Sequence, residues 1–161
     1  MKLIKSTNYW NCSLAAMAMV VDEPIEWLEK LIGHDGSEVI NEKLKSPGNR
    51  KGFHTQELID AALALNYAMI PIEAVSIQTA TGVDKYGIKF ANFDSNEERF
   101  DHYLAGTKGI LMGKAPSGYW HAVAHDDGTV YDPRGMIYPL DDIKIAVQLY
   151  WLFIPIKSKS N

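Results

Sequence analysis

The sequence is poor in cysteine, since Cys12 is the one cysteine among 161 residues. A single thiol excludes both an internal disulfide and a cysteine-based metal cluster. A lone cysteine is therefore either a small hydrophobic core residue or a reactive thiol. Free cysteines are among the most buried residue types, so the core is the default interpretation unless position argues otherwise.

Long apolar runs and excess positive charge are also lacking. The longest apolar run, Leu14 to Val21, falls well short of the roughly 18 residues that a membrane-spanning helix needs. No apolar stretch with a small-residue cleavage site follows the N-terminal lysines, so we predict no signal peptide. The net charge of −4 argues against nucleic-acid binding, which requires a surplus of Lys and Arg. We therefore predict a cytoplasmic protein with neither a nucleic-acid nor a membrane partner.

What the sequence does contain is typical of one soluble domain. Apolar residues make up 47% and charged residues 22% of the chain. We predict a single domain over residues 1–156 and a polar C-terminal tail over residues 157–161, with no prediction for the oligomeric state.

Helical patterns come first along the chain and strand patterns come later. Helices are predicted at Asn11–Val21, Ile25–Ile32, Thr55–Leu65 and Asn96–Leu104, with Thr55 and Ser95 as candidate N-caps. Strands are predicted at Ala68–Val75, Gly109–Met112, Tyr119–His125, Thr129–Tyr131 and Val147–Ile156. This order favours an α+β fold, in which the early helices pack on a C-terminal antiparallel β-sheet. The loops Ser37–Lys51 and Thr79–Phe93 are expected to shape a groove.

Cys12 lies at the start of the first predicted helix. That helix is apolar on every side, which predicts a buried central helix. A thiol at a helix N-terminus faces unpaired backbone N–H groups and the positive end of the helix dipole, and both favour the nucleophilic thiolate. The same amides could hold an oxyanion. Asn8 and Asn11, just upstream, are candidates for an additional oxyanion donor.

A histidine and an aspartate flank a predicted hairpin near the C-terminal end. Asp127-Gly128 is a strong signal for a two-residue turn, which would place His121 and Asp132 on one face as diagonal neighbours. The carboxylate would then orient the imidazole toward a thiol, as in a nucleophile–base–orienter triad. A three-residue turn over Asp126–Gly128 would instead put Asp132 on the opposite face.

His125 shares the face of His121 and is a rival base, although it lies nearer the hairpin end and further from Asp132. The remaining histidines, His34, His54 and His102, show no spacing typical of metal ligands. We therefore predict no metal site and no cofactor.

Three segments together resemble the papain-like cysteine peptidase superfamily, and within it the bacteriocin-leader-processing peptidase domains. The segments are NCSLAAMAMV at Asn11–Val20, GYWH at Gly118–His121 and YDP at Tyr131–Pro133. The resemblance implies a papain-like fold, with Cys12 as nucleophile, His121 as base and Asp132 as orienter. It also implies a protein or peptide substrate.

The sequence departs from that family at two positions. Ser6 stands six residues before Cys12, where the family usually has the glutamine that completes the oxyanion hole, and Ser13 follows the cysteine where many members have glycine. Losing one oxyanion donor typically costs about 10²–10³ in rate.

Two functions follow from these observations. The first is hydrolysis of a peptide, amide or isopeptide bond by a Cys12-His121-Asp132 triad. The second is an inactive protein of the same fold that inhibits or modulates a partner, which Ser6 favours. Asn11-Cys12 also resembles ovarian-tumour-type deubiquitinases, although Tyr9 stands where those proteins carry aspartate.

Overall fold

A computed structural model describes residues 1–37, 52–74, 93 and 95–157 of the chain. The two loops predicted to shape a groove lie outside these ranges, apart from Ser37 and Phe93 at their ends. All but the first residue of the predicted polar tail also lies outside them.

The described residues form four α-helices, six β-strands and one 3₁₀ turn at Leu140–Asp142. The helices are α1 (Cys12–Val21), α2 (Ile25–Ile32), α3 (Thr55–Ala64) and α4 (Asn96–Leu104). The strands are β1 (Tyr67–Glu73), β2 (Lys108–Lys114), β3 (Trp120–Asp126), β4 (Thr129–Asp132), β5 (Met136–Pro139) and β6 (Ala146–Pro155). None of these helices is both long and apolar enough to cross a bilayer.

The strands form one antiparallel sheet in the order β1-β6-β2-β3-β4-β5. The predicted α+β layout is confirmed. Its sheet also takes an edge strand from the middle of the chain, because β1 pairs with β6 along its whole length.

The two faces of the sheet carry separate apolar clusters. Helices α1, α2 and α3 cover one face, and every residue of α1 from Ser13 to Val21 is buried there, as its uniformly apolar sequence predicts. Small side chains on β3, Ala122 and Ala124, leave room for α1 to lie directly on the strand. Leu104 at the end of α4 packs with Leu111 and other residues on the opposite face.

The start of α3 differs from the prediction. The N-cap is His54 and not Thr55: Nδ1 of His54 accepts a hydrogen bond from the Gln56 amide at 3.1 Å, and Glu57 Oε2 accepts one from the His54 amide at 2.6 Å. An unprotonated imidazole nitrogen replaces the usual hydroxyl in this capping box. The prediction for α4 is confirmed, since Ser95 Oγ accepts from the Glu98 amide at 3.0 Å.

Strand β5 has no counterpart among the predicted elements. It is a short edge strand with mostly exposed side chains, so its sequence lacks the apolar alternation that marks a half-buried strand. Pro139 at its end is tolerated because an edge strand has one side without a partner.

Candidate active site

The β3–β4 hairpin has the two-residue turn that the sequence predicts. Asp127 and Gly128 both have positive φ, at 42° and 77°, and Asp126 pairs with Thr129. Positive φ at both central residues matches the twist of the flanking strands, which explains the preference for Asp-Gly. When this register is continued to the end of β4, Asp132 lies on the same face as His121. The alternative three-residue turn over Asp126–Gly128 is therefore excluded.

His121 and Asp132 meet across this hairpin. Nε2 of His121 lies 2.9 Å from Oδ1 of Asp132. The imidazole side chain is 12% exposed and the carboxylate is fully buried. Because Asp132 accepts from Nε2, the free nitrogen of the ring is Nδ1.

Asp132 has two further side-chain partners that the sequence did not indicate. Arg134 donates from Nη2 to Oδ2 at 2.6 Å and from Nε to both carboxylate oxygens at 3.1 Å, and its backbone amide donates to Oδ1 at 2.9 Å. Tyr138, on the unpredicted strand β5, donates its hydroxyl to Oδ2 at 3.3 Å. The Asp132 carboxylate is therefore held by residues of the turn that follows β4 and of strand β5.

Cys12 is the first residue of α1 and is partly buried. It lines a cavity of about 430 Å³ together with His121. The interaction between the two side chains raises the pKa of His121. Since Nε2 is engaged by Asp132, Nδ1 is the ring nitrogen that remains for a second partner.

The balance of forces on His121 favours the imidazolium. Burial alone would lower the pKa of His121, but hydrogen bonds with Asp132 and Cys12 outweigh it and raise the pKa to about 9. For Asp132, burial would raise the pKa, yet the bonds from His121 and Arg134 hold it far below its usual range. A charged, oriented imidazolium beside a thiol is the arrangement that a thiol acyl transfer needs.

The two asparagines predicted as oxyanion donors lie in different places. Asn8 lines the cavity, and its Oδ1 accepts from the backbone amides of Trp10 and Asn11 at 3.1 and 3.0 Å. Asn11 is fully buried and is not among the described residues that line the cavity. Its Nδ2 donates to Thr7 Oγ1 at 2.8 Å, so the amide is engaged within the segment that precedes Cys12.

Ser6 lies in the cavity wall, at the position where the resembled family carries glutamine. Its backbone amide donates to the Pro133 carbonyl at 2.9 Å. The segment before Cys12 is thereby joined to the turn after β4.

His125 is separated from the cavity. It is fully buried, its Nε2 accepts from the Gly128 amide at 3.0 Å, and its Nδ1 lies 3.4 Å from the Tyr150 hydroxyl. The Tyr150 hydroxyl is in turn 2.9 Å from Thr107 Oγ1. Burial lowers the pKa of His125 to about 4, which keeps the ring neutral. The rival base therefore stabilises the hairpin turn.

The remaining histidines also have local partners. Nε2 of His34 lies 3.1 Å from Glu57 Oε1, and His54 caps α3. Within the described ranges, no three His, Cys, Asp or Glu side chains converge in a way that could hold a metal ion.

Comparison with known proteins identifies the fold. No protein-family model matches the sequence, and no curated protein matches it either. Among solved structures, the chain is similar to the peptidase domain of Streptococcus ComA, a bi-functional ABC transporter involved in a quorum-sensing pathway. The two share 15% identity and superpose with a TM-score of 0.50 over 96% of this chain and 98% of that one. The predicted papain-like peptidase fold is confirmed.

Proposed function

We propose that this chain is a cysteine peptidase that hydrolyses a peptide or amide bond, with Cys12 as nucleophile, His121 as general base and acid, and Asp132 as orienter. One observation carries the proposal: Cys12, His121 and Asp132 form a connected series of contacts that begins at the wall of a cavity. The fold shared with a peptidase domain supports it.

The reaction follows from the positions of the ring nitrogens. The imidazolium of His121 holds on Nδ1 the proton that the Cys12 thiol has given up, and the Cys12 sulfur attacks the substrate carbonyl carbon to form a C–S bond. As the tetrahedral intermediate collapses, the C–N bond breaks and Nδ1 returns the proton to the leaving amine. Water then attacks the thioester and gives its proton to Nδ1. The C–S bond breaks, which releases the acid and restores the Cys12 sulfur beside the protonated His121.

The oxyanion has donors at the start of α1. The first backbone N–H groups of an α-helix have no intrahelical partner, and α1 has no side-chain cap. These amides lie beside the Cys12 sulfur and suit a developing negative charge. We assign the Asn8 amide and the Ser6 hydroxyl as second donors, because both residues line the cavity beside Cys12.

Alkylation of Cys12 tests the proposal without a known substrate. Because the chain has one cysteine, the mass of the whole protein reports its reaction with iodoacetamide. We expect Cys12 at pH 6 to react faster than a free thiol, and His121→Ala to remove that advantage. His102→Ala is the matched control, since His102 lies on the exposed side of α4. Reaction no faster than glutathione, unchanged in His121→Ala, would overturn the catalytic assignment.

A papain-fold binding protein is the second candidate, and Ser6 in place of glutamine is the observation that favours it. The two candidate functions differ in the expected effect of Cys12→Ala. A partner-blocking protein keeps its biological effect in this variant, whereas a peptidase loses it.

A further inference from the structure

The cavity beside Cys12 is lined by cations and by no described carboxylate. Its described lining residues are Lys5, Ser6, Asn8, Tyr9, Cys12, His121, Pro133 and Arg134. This wall carries two permanently charged cations and the imidazole, in a chain whose net charge is −4. The buried carboxylate behind the wall, Asp132, already has His121 and Arg134 as partners.

Lys5 is an exposed residue at the edge of this cavity, next to a fixed stretch of backbone. The Ser6 amide bonds the Pro133 carbonyl, which fixes the backbone next to Lys5. The Lys5 stem crosses Gly135, where an added Cβ would lie 2.7 Å from Cε and 3.3 Å from Nζ. The lysine therefore passes close over the glycine, and the ammonium has no hydrogen-bond partner among the described residues.

Arg134 supplies the second cation. Its Nε and Nη2 are engaged by Asp132, but the side chain remains 49% exposed and Nη1 donates to none of the described residues. A guanidinium anchored on one edge and open on the other presents a fixed donor to the cavity. The two cations and the imidazolium of His121 together make this cavity suited to an anion.

We propose that the active-site cavity selects substrates with a carboxylate close to the scissile bond, bound by Lys5 and the open edge of Arg134. This inference rests on the proposed peptidase function and names its substrate class. The carboxylate belongs either to an Asp or Glu side chain or to the C-terminus of a short peptide.

The test compares an anionic and a neutral reagent at the same thiol. Rates of Cys12 alkylation by iodoacetate and iodoacetamide are measured on the full chain by intact mass. Lys5→Gln keeps most of the stem over Gly135 and removes the charge, so the iodoacetate-to-iodoacetamide ratio falls about two- to five-fold, the range of an exposed ion pair. Lys5→Arg preserves the ratio, and so does Lys30→Gln on the exposed side of α2. The wild-type ratio also falls as salt rises.

Three acetylated tripeptides then separate the two carboxylate sources. One has a central glutamate and a C-terminal amide, one has a central glutamine and a free carboxylate, and one has a central glutamine and an amide. The proposal requires that at least one carboxylate peptide protects Cys12 from iodoacetamide better than the neutral peptide, and that Lys5→Gln removes the difference.

An unchanged reagent ratio in Lys5→Gln, or equal protection by all three peptides, overturns the proposal. If the peptidase assignment itself is wrong, both reagents react slowly and His121→Ala changes neither rate. The iodoacetate-to-iodoacetamide ratio at Cys12 is still measurable in that case.

Discussion

The imidazole of His121 and the carboxylate of Asp132 lie on neighbouring strands, with Nε2 and Oδ1 2.9 Å apart. The turn between the strands has two central residues, both with positive φ. It sets the register that brings the two side chains together. Arg134 and Tyr138 hold the carboxylate from its far side. The position of the His121 imidazole thus depends on three side chains, those of Asp132, Arg134 and Tyr138.

Asp132→Ala tests the orienter. The substitution leaves Nε2 of His121 without its acceptor, so the ring loses both its orientation and the charge that favours the imidazolium. We expect kcat/KM on a fluorogenic peptide amide to fall about 10²–10⁴-fold, the usual range for a general acid–base contribution. Asp132→Asn retains an acceptor oxygen and should keep intermediate activity. Equal activity of all three proteins, with unchanged circular dichroism, would contradict the role of Asp132.

Arg134→Met tests the support of the orienter. Asp132 is fully buried, and the substitution removes the charged hydrogen bonds from Nε and Nη2. The expected loss is about 1.5–3 kcal/mol in the free energy of unfolding, measured by urea denaturation. Arg134→Lys should recover only part of it, because an ammonium cannot reproduce the two-pronged contact. A loss no larger than that of Lys30→Met on the exposed side of α2 would show that the contact is dispensable.

The pH dependence of hydrolysis reports the protonation of His121. The folded-state pKa of His121 is raised from 6.5 to about 9, so the imidazolium is present at neutral pH and disappears as pH rises through about 9. Protonation of the leaving amine is lost over the same range. We therefore expect kcat/KM to have an alkaline limb near pH 9.

The matched variant for this profile is Asp132→Asn, which removes a contact that raises the pKa of His121. Its alkaline limb should move to lower pH. A limb that stays in place would assign the titration to another group.

Acid stability should depend on His125. Burial lowers its pKa in the folded protein to about 4, against a reference of 6.5, while Asp126 and Asp127 partly oppose the shift. The unfolded chain therefore binds the proton first. The stabilisation from a neutral His125 is complete above about pH 6.5 and is lost as pH falls toward 4. The melting temperature should therefore fall as the pH is lowered from about 6.5 toward 4.

His125→Gln can accept from the Gly128 amide but does not titrate, so its melting temperature should change less between pH 7 and pH 4 than that of the wild type. The same decrease in both proteins would place the acid sensitivity elsewhere in the chain.

The sequence predicted the parts of this site that depend on local patterns. An all-apolar helix with Cys12 at its start, and Asp127-Gly128 between two strands, are sufficient to place the thiol and to set the hairpin register. Arg134 and Tyr138 could not be predicted, because their contacts with Asp132 depend on a third strand whose exposed residues carry no periodic signal. The N-cap of α3 shows a similar limit. The cap is His54 and not the predicted Thr55, and an imidazole accepts a hydrogen bond only in the right tautomer.

His121 and Asp132 belong to one hairpin, while Cys12 belongs to a helix far earlier in the chain. During synthesis on the ribosome, α1 emerges long before β3 and β4. Cys12 therefore has no imidazole beside it until the sheet is complete. The order of the elements means that the three side chains can meet only after β4 has been synthesised.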